Sequence, residues 1–389
     1  MEKVPNPNEY YDELKKIFRQ KYGEHEVTVF APGRANIIGE HTDYNEGFVL
    51  PFAISQGVWF LASPNSTGEI NIFAYDTGGE TEILLNRVSI HPSGWEIFFR
   101  QVISTLQDFH INGANIVFGG NLPIGAGISS SSSITCGFVE VLNRLNHWHM
   151  SPDIILQKAV TAEWGYGVQG GIMDQFTIIN GRKNKAILLD CRDNSTQYID
   201  MEMGEYCFYL FNTNVKHNLI DTDYNNRRYQ CDNAVSILNQ QYKPISSLRD
   251  IEKEELPEVK KILDKVLYQR VSFVVEENER VLLTKDAIEN QDFKRLGELL
   301  YASHDGLSHK YEVSCPELDW LVNYTMDQPN IIGARMMGGG FGGCTINLVK
   351  GYLADDWIRQ VIHRYEATFG FQPTIIHIKS EDGILAKRN

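Results

Sequence analysis

From Pro32 to Tyr44 the chain reads PGRANIIGEHTDY, which crowds an Arg, a Glu, a His, an Asp and a Tyr around one small apolar step, Ile37-Ile38-Gly39. Carboxylates such as Glu40 and Asp43 accept hydrogen bonds from hydroxyl groups, and His41 can donate or accept. Arg34 brings positive charge, which suits an attacking oxygen or a phosphoryl group in transfer. On residue types alone the segment is either a polar loop with solvated charges or a set of groups that hold a small ligand.

A second group lies in NLPIGAGISSSSSITCGFVEVLNRL. It follows the strand-like ANIVF and runs into a helix with Ile134, Phe138, Val141, Leu142 and Leu145 on one face. Glycines and serines between a strand and a helix N-terminus suit an anion, because free amides and the positive end of the helix dipole meet there. Gly125 and Gly127 let the backbone curl towards a ligand. The serine hydroxyls can donate to phosphate oxygens or coordinate a metal. There is no G-x-x-x-x-G-K-[ST], and Ser130 replaces the third glycine of G-x-G-x-x-G. No Lys or Arg lies between Gly119 and Asn143. A phosphate bound here needs amides, hydroxyls and a cation to balance it, which points to Mg²⁺. A serine-rich surface loop is the alternative.

Two further stretches complete the set. MMGGGFGGCTINL carries five glycines from Gly338 to Gly343, broken only by Phe341. It suits close backbone approach to a ligand or a plain turn between elements. Glu163 falls near the end of a helix, and Asp174 follows a glycine-rich turn. A lone carboxylate in such a place is usually solvated or a cap. In combination with a phosphate cradle, the two can hold Mg²⁺ and position an attacking hydroxyl.

The elements that must position these groups alternate in type. Val27 to Phe30, Gly57 to Ala62 and Ala114 to Phe118 read as strands. SPDIILQKAVTAEW reads as a helix with Ser151 as N-cap and Pro152 in the first turn. Residues 255 to 328 are mostly helical and charged, and Ser314-Cys315-Pro316-Glu317 reads as a capping box opening a helix with Leu318, Leu321 and Val322 on one face. CTINLV reads as a strand with Cys344, Ile346 and Leu348 on one side and Thr345 and Asn347 on the other. A composition shift places a domain boundary near residue 195, and 389 residues exceed one ordinary core.

Hydrophobic residues at 42% and charged residues at 22% fit a globular protein. A net charge of -14 disfavours nucleic acid as a partner. The start, MEKVPNPNEYYDELKK, has no signal-peptide core, and no run of about 18 apolar residues suggests a membrane span. Six cysteines without a C-x-x-C pair read as free thiols of a cytoplasmic protein.

These motifs together carry a family resemblance. GRANIIGEHTDYNEGFVLP resembles the galactokinase signature. LPIGAGISSSSS and GARMMGGGFGGCTINLV resemble the phosphate loop and the third motif of the GHMP superfamily, which includes homoserine, mevalonate and phosphomevalonate kinases. GIMDQF and NTNVKHNLIDTDYNNRR also resemble galactokinase, so the likeness spans essentially the whole chain. It implies an α+β GHMP kinase fold in two lobes with the active site in the cleft between them. Residues 1–195 would form a lobe like ribosomal S5 domain 2. Residues 196–389 would form a ferredoxin-like lobe, with the last strand free to return to the first.

The resemblance further implies transfer of the γ-phosphoryl of Mg²⁺-ATP to the C1 hydroxyl of D-galactose by a cytoplasmic monomer. Arg34 and Asp174 match the catalytic pair at that hydroxyl. Glu40, His41, Asp43, Gly171 and Tyr224 match galactose contacts, alongside Arg34 and Asp174. Gly125, Ala126, Gly127, Ile128, Ser129, Ser130 and Ser131 match the backbone that holds the ATP phosphates. Ser131 and Glu163 match Mg²⁺ ligands, and Trp95, in GWEIFFRQVI, matches an aromatic residue beside adenine. Two features depart from the pattern: Glu163 and Asp174 stand one residue closer than expected, with the turn GYGVQ shortened, and Ser132 replaces a frequent alanine. A kinase for N-acetylgalactosamine or arabinose, or a sensor that binds galactose and ATP without turnover, are the competing functions.

Overall fold

A computed structural model describes residues 7–85, 94–123, 126–167, 170–215 and 220–387. The chain runs α1 (Pro7–Tyr22), β1 (Val27–Asn36), β2 (Phe48–Val49), β3 (Pro51–Pro64), β4 (Glu69–Ala74), β5 (Gly79–Leu84), α2 (Glu96–Thr105), β6 (Ala114–Gly120), α3 (Ser130–Leu145), α4 (Pro152–Gly165) and α5 (Met173–Asn180). It continues through β7 (Lys185–Asp190), β8 (Thr196–Asp200), β9 (Tyr206–Asn212), α6 (Ile220–Gln241), α7 (Leu256–Ile262), α8 (Lys265–Glu289), α9 (Phe293–Gly306), α10 (Pro316–Met326), β10 (Ile331–Met337), β11 (Cys344–Lys350), α11 (Asp355–Phe369) and β12 (Thr374–Ile378).

The first sheet has the order β1-β3-β6-β4-β5, with only β4 and β6 parallel. Side chains alternate across it as the strand period requires. Leu61 and Val117 meet Tyr10, Leu14 and Phe18 of α1, while Phe60 and Ile116 join the main core with Phe99 of α2 and Phe138 of α3. The second sheet, β10-β11-β9-β12, is also two-faced. Tyr209 and Phe211 pack with Val361 and Tyr365 of α11, and Phe208 and Leu210 join the main core. A small third sheet, β2-β7-β8, pairs the short strand between β1 and β3 with the two strands that follow α5. A helical cluster of α6, α8 and the π-helical turn Leu307–Tyr311 forms a further core. After β12 the chain runs back along β3 and α5: Ser380 bridges Ile54, and Gly383 N–H donates to Gly181 O at 2.8 Å.

The strand-like segments at Val27, Gly57 and Ala114 all lie in strands, but β1 extends through Pro32 and Gly33 to Asn36. A shift of register against β3 between Pro32 and Gly33 accommodates this pair, and such bulges redirect the side chains that follow. Ser151 caps α4 as expected, accepting from Ile154 N–H. The capping box at Ser314 does not form. Cys315 is the N-cap, and the Ser314 hydroxyl donates to Asp319 Oδ1, a partner the motif does not encode. The expected apolar face of that helix is buried. Thr345 and Asn347 are as buried as their apolar neighbours, because β11 is central and covered on both faces. All six cysteines are free. Among the described residues no helix is long and apolar enough to cross a membrane.

Candidate active site

Arg34 follows the β1 bulge and is 5% exposed. Its Nε donates to Asp174 Oδ1 at 2.8 Å and its Nη2 to Oδ2 at 3.0 Å. Such two-pronged pairing fixes both planes. Burial works against the guanidinium, but the charges of Asp174, Glu40 and Asp43 outweigh it and hold its pKa above the ordinary value. Asp174 stands in the first turn of α5, where the helix dipole favours a carboxylate. It also accepts from the Ser129 hydroxyl. The pair and the serine loop therefore converge on one carboxylate.

A cavity of about 180 Å³ opens above this pair. Arg34, Glu40, His41, Asp43, Glu163, Gly170, Gly171, Met173, Asp174 and Gln175 line it from the first half of the chain. Tyr224, Gly338 and Gly339 line it from the second. Glu40 is 2% exposed. Its Oε1 accepts from Arg335 Nη2 at 3.1 Å and from Gly338 N–H at 3.0 Å. Arg335, fully buried on β10, also donates to the carbonyls of Asn36, Ile37 and Met336. It thereby ties the third motif to the end of β1. Positive φ at five positions lets that motif approach: Gly338 at 86°, Gly340 at 83°, Phe341 at 58°, Gly342 at 147° and Gly343 at 77°. A Cβ on Gly340 would lie 2.1 Å from Val313 O.

Asp43 shares the cavity with the carboxylates of Glu40 and Asp174. Burial, helped by the charges of Asp174 and Glu40, pushes it up to about 7, against the Tyr44 N–H and Arg34. Gly171 lies directly against it, and a Cβ there would fall 2.2 Å from Asp43 Oδ2. The glycine is required for that approach. Tyr224 stays a phenol, its pKa raised by burial and by Asp43, Asp174 and Glu40. His41, left-handed at φ 61°, has both ring nitrogens engaged: Nδ1 with Tyr44 Oη at 2.7 Å and Nε2 with Gly339 O at 3.2 Å. Burial, with the Arg227 charge, pushes its pKa down to about 3, so the ring is neutral.

The serine loop is tied to β1. Arg34 N–H and Nη1 donate to Ile128 O and Gly127 O, and Ser133 Oγ donates to Pro32 O at 2.8 Å. Ser129, left-handed at φ 63°, precedes α3, so Ser130 and Ser131 sit in its first turn, where amides lack helical partners. Glu163 of α4 is buried, which pushes its carboxyl up to about 7, with the Asp174 charge adding to the rise and nearby Ser132, Gln175 and Thr135 opposing it. Thr135 Oγ1, one turn beyond Ser131, stands 3.4 Å from it. Ser132 Oγ lies beside the Glu163 carboxyl but makes no hydrogen bond of ordinary geometry among the described residues, and Gln175 Oε1 is likewise buried without one. A buried carboxyl beside unsatisfied oxygens, at a hydroxyl-bearing helix start, fits a hard cation such as Mg²⁺. Ser132 is buried.

The cavity thus gathers every residue expected at the sugar, together with Glu163. Gly125, and the turn residues 168–169, lie outside the described residues. Trp95 does not line the cavity. It packs against Phe99 at 5.6 Å and Phe118 at 5.3 Å. Arg335 and the side chain of Ser129 were not legible from the motifs. A lone Arg within the apolar strand IIGARMM was the available signal, since a buried charge requires partners.

Three family models match the chain: the galactokinase galactose-binding signature at residues 16–64, the GHMP kinases N terminal domain at 97–182 and the GHMP kinases C terminal at 284–366. The chain is 36% identical to the galactokinase of Clostridium acetobutylicum, over 96% of this chain and 97% of that protein. It is 37% identical to the galactokinase of Thermotoga maritima, over 92% and 99%. Among solved structures, Lactococcus lactis galactokinase complexed with galactose superposes with a TM-score of 0.91 at 31% identity, covering 96% of this chain and 99% of that one. Methanococcus jannaschii mevalonate kinase, at 18% identity and a TM-score of 0.66, shares the fold, covering 93% and 100%. The α+β fold is therefore that of the GHMP kinases, and the chain belongs to the galactokinase family.

Proposed function

We propose that this protein is a galactokinase, transferring the γ-phosphoryl of ATP to the C1 hydroxyl of D-galactose to give galactose 1-phosphate and ADP. The observation that carries this is the meeting of two sites at Asp174, which accepts from Arg34 on the cavity side and from Ser129 on the serine-loop side. An acceptor hydroxyl in the cavity and a phosphate at the loop would meet there.

A hexose presents a ring of hydroxyls, and one epimer differs from another in the direction of one of them. Discrimination needs fixed polar partners that go unpaired with the wrong epimer. Glu40, held on one oxygen by Arg335 and Gly338, keeps the other for the sugar. Asp43 and Tyr224 supply further partners, and Gly171 lets Asp43 reach in. Asp174 orients the C1 hydroxyl and receives its proton. In a loose transition state the proton leaves late, so orientation counts for more than base strength. Arg34 stabilises charge on the transferring group. The amides from Ala126 to Ser131 cradle the phosphates, and Gly125 is assigned to the same cradle. Ser131 and Glu163 would hold Mg²⁺, which would neutralise charge on the phosphates. Trp95 borders the adenine side. The lobes comprise residues 1–195 and 196–389, and the enzyme works as a cytoplasmic monomer.

Product analysis tests the assignment. Incubation with Mg²⁺-ATP and galactose should give a phosphate ester on C1, seen by ³¹P and ¹³C NMR. An ester at C6, or none, would refute it.

A further inference from the structure

His41 begins a chain of hydrogen bonds that leads away from the cavity and is fully buried at its far end. Its Nδ1 meets Tyr44 Oη at 2.7 Å, Tyr44 Oη meets Tyr311 Oη at 2.7 Å, and Tyr311 Oη meets Cys231 Sγ at 3.2 Å. The other ring nitrogen, Nε2, faces Gly339 O at 3.2 Å. A carbonyl can only accept, so Nε2 carries the proton and Nδ1 is the acceptor. Every donor is then determined in turn: Tyr44 donates to His41, Tyr311 to Tyr44, and the Cys231 thiol to Tyr311. The Asn45 amide donates to His41 O at 2.9 Å, pinning the left-handed backbone as well.

The ring so held is itself a support. It lies 5.2 Å from the Tyr224 ring and 4.9 Å from the Tyr311 ring. Tyr224 and Cys231 are seven residues apart on α6, two turns along one face. One helix therefore supplies both the tyrosine that lines the cavity and the thiol that ends the chain. The links join the signature segment, the π-helical turn and α6 across 267 residues of sequence.

We propose that Tyr44 and Tyr311 are positioning residues for sugar binding: they orient the His41 ring, which in turn holds Tyr224 and the Gly339 carbonyl in the cavity wall, and that ring offers no nitrogen to the sugar. This rests on the galactokinase assignment. The chain is directional and continuous, and its Nε2 end bonds the loop whose Gly338 amide holds Glu40.

The test uses the full-length protein and its Tyr44→Phe, Tyr311→Phe and double variants, with the same packing and one or two hydroxyls removed. The galactose Kd by calorimetry and the galactose KM should each rise about tenfold in Tyr44→Phe, the scale of one lost hydrogen bond. kcat should stay within threefold and the ATP KM unchanged. Tyr311→Phe should show a smaller rise, and the double variant no more than Tyr44→Phe alone, because the chain is already cut next to His41. Long-range ¹H–¹⁵N spectra of the ligand-free protein should show His41 as the Nε2–H tautomer, with its Nδ1 signal displaced in Tyr44→Phe and little changed by galactose in the wild type. An Nδ1–H tautomer, unchanged galactose affinity in both single variants, or additive losses in the double variant would overturn the proposal. The tautomer and the calorimetry judge the chain without turnover, so loss of the galactokinase assignment in the kinetic assay is a separate result.

Discussion

Arg34 and Asp174, 140 residues apart in the sequence, face each other as a fork and its socket, at 2.8 and 3.0 Å. Both oxygens of Asp174 are occupied, one of them also by Ser129. Arg34→Lys keeps a positive charge but cannot span both oxygens. It should lower kcat by about 100-fold with a small change in melting temperature, measured by steady-state kinetics and thermal melts. A kcat within threefold of wild type would contradict the role of the fork.

Gly171→Ala should raise the galactose KM by tenfold or more. The added methyl would overlap Asp43 Oδ2 and Cγ, at 2.2 and 2.4 Å, and push that carboxylate out of the cavity. The ATP KM should stay the same, which separates the effect from general damage.

Asp43→Asn probes the raised carboxyl. Its folded pKa of about 7 exceeds the ordinary 3.8, so folding takes up a proton between these values. The stability that Asp43 lends is full below about pH 4 and is lost as pH rises through 7. Asn does not titrate. In ligand-free melts from pH 4.5 to 8.5, the difference in Tm should move in favour of Asp43→Asn by a few degrees and stop changing above pH 7. A constant difference would contradict the assignment.

Glu163→Gln should raise the Mg²⁺ concentration for half-maximal activity about tenfold or more. It should also shrink the rise in Tm that Mg²⁺-ATP gives the wild type. An unchanged Mg²⁺ dependence in both would remove Glu163 as a ligand.

The clusters of Arg34 to Asp43 and Gly338 to Gly343 were legible because polar residues at high density and repeated glycines are costly without a use. The helices at Ser151 and Ile134 announced themselves through caps and apolar spacing. What escaped depends on contacts remote in sequence. Pro32-Gly33 looks like a turn, yet pairing with β3 carries the strand through it by a bulge. Ser314 looks like a cap until Asp319 offers its hydroxyl a better partner. Arg335 reaches Glu40 across 295 residues, and no local pattern encodes that meeting.

The most direct test of the central claim is a coupled ADP-release assay with Mg²⁺-ATP and galactose, glucose, N-acetylgalactosamine or arabinose, run for the wild type and Asp174→Ala. The account predicts sustained turnover on galactose, weak turnover on glucose, and loss of both in the variant. No turnover on any sugar while galactose still binds by calorimetry would contradict it and leave a sensor, and a preference for arabinose or N-acetylgalactosamine would reassign the substrate.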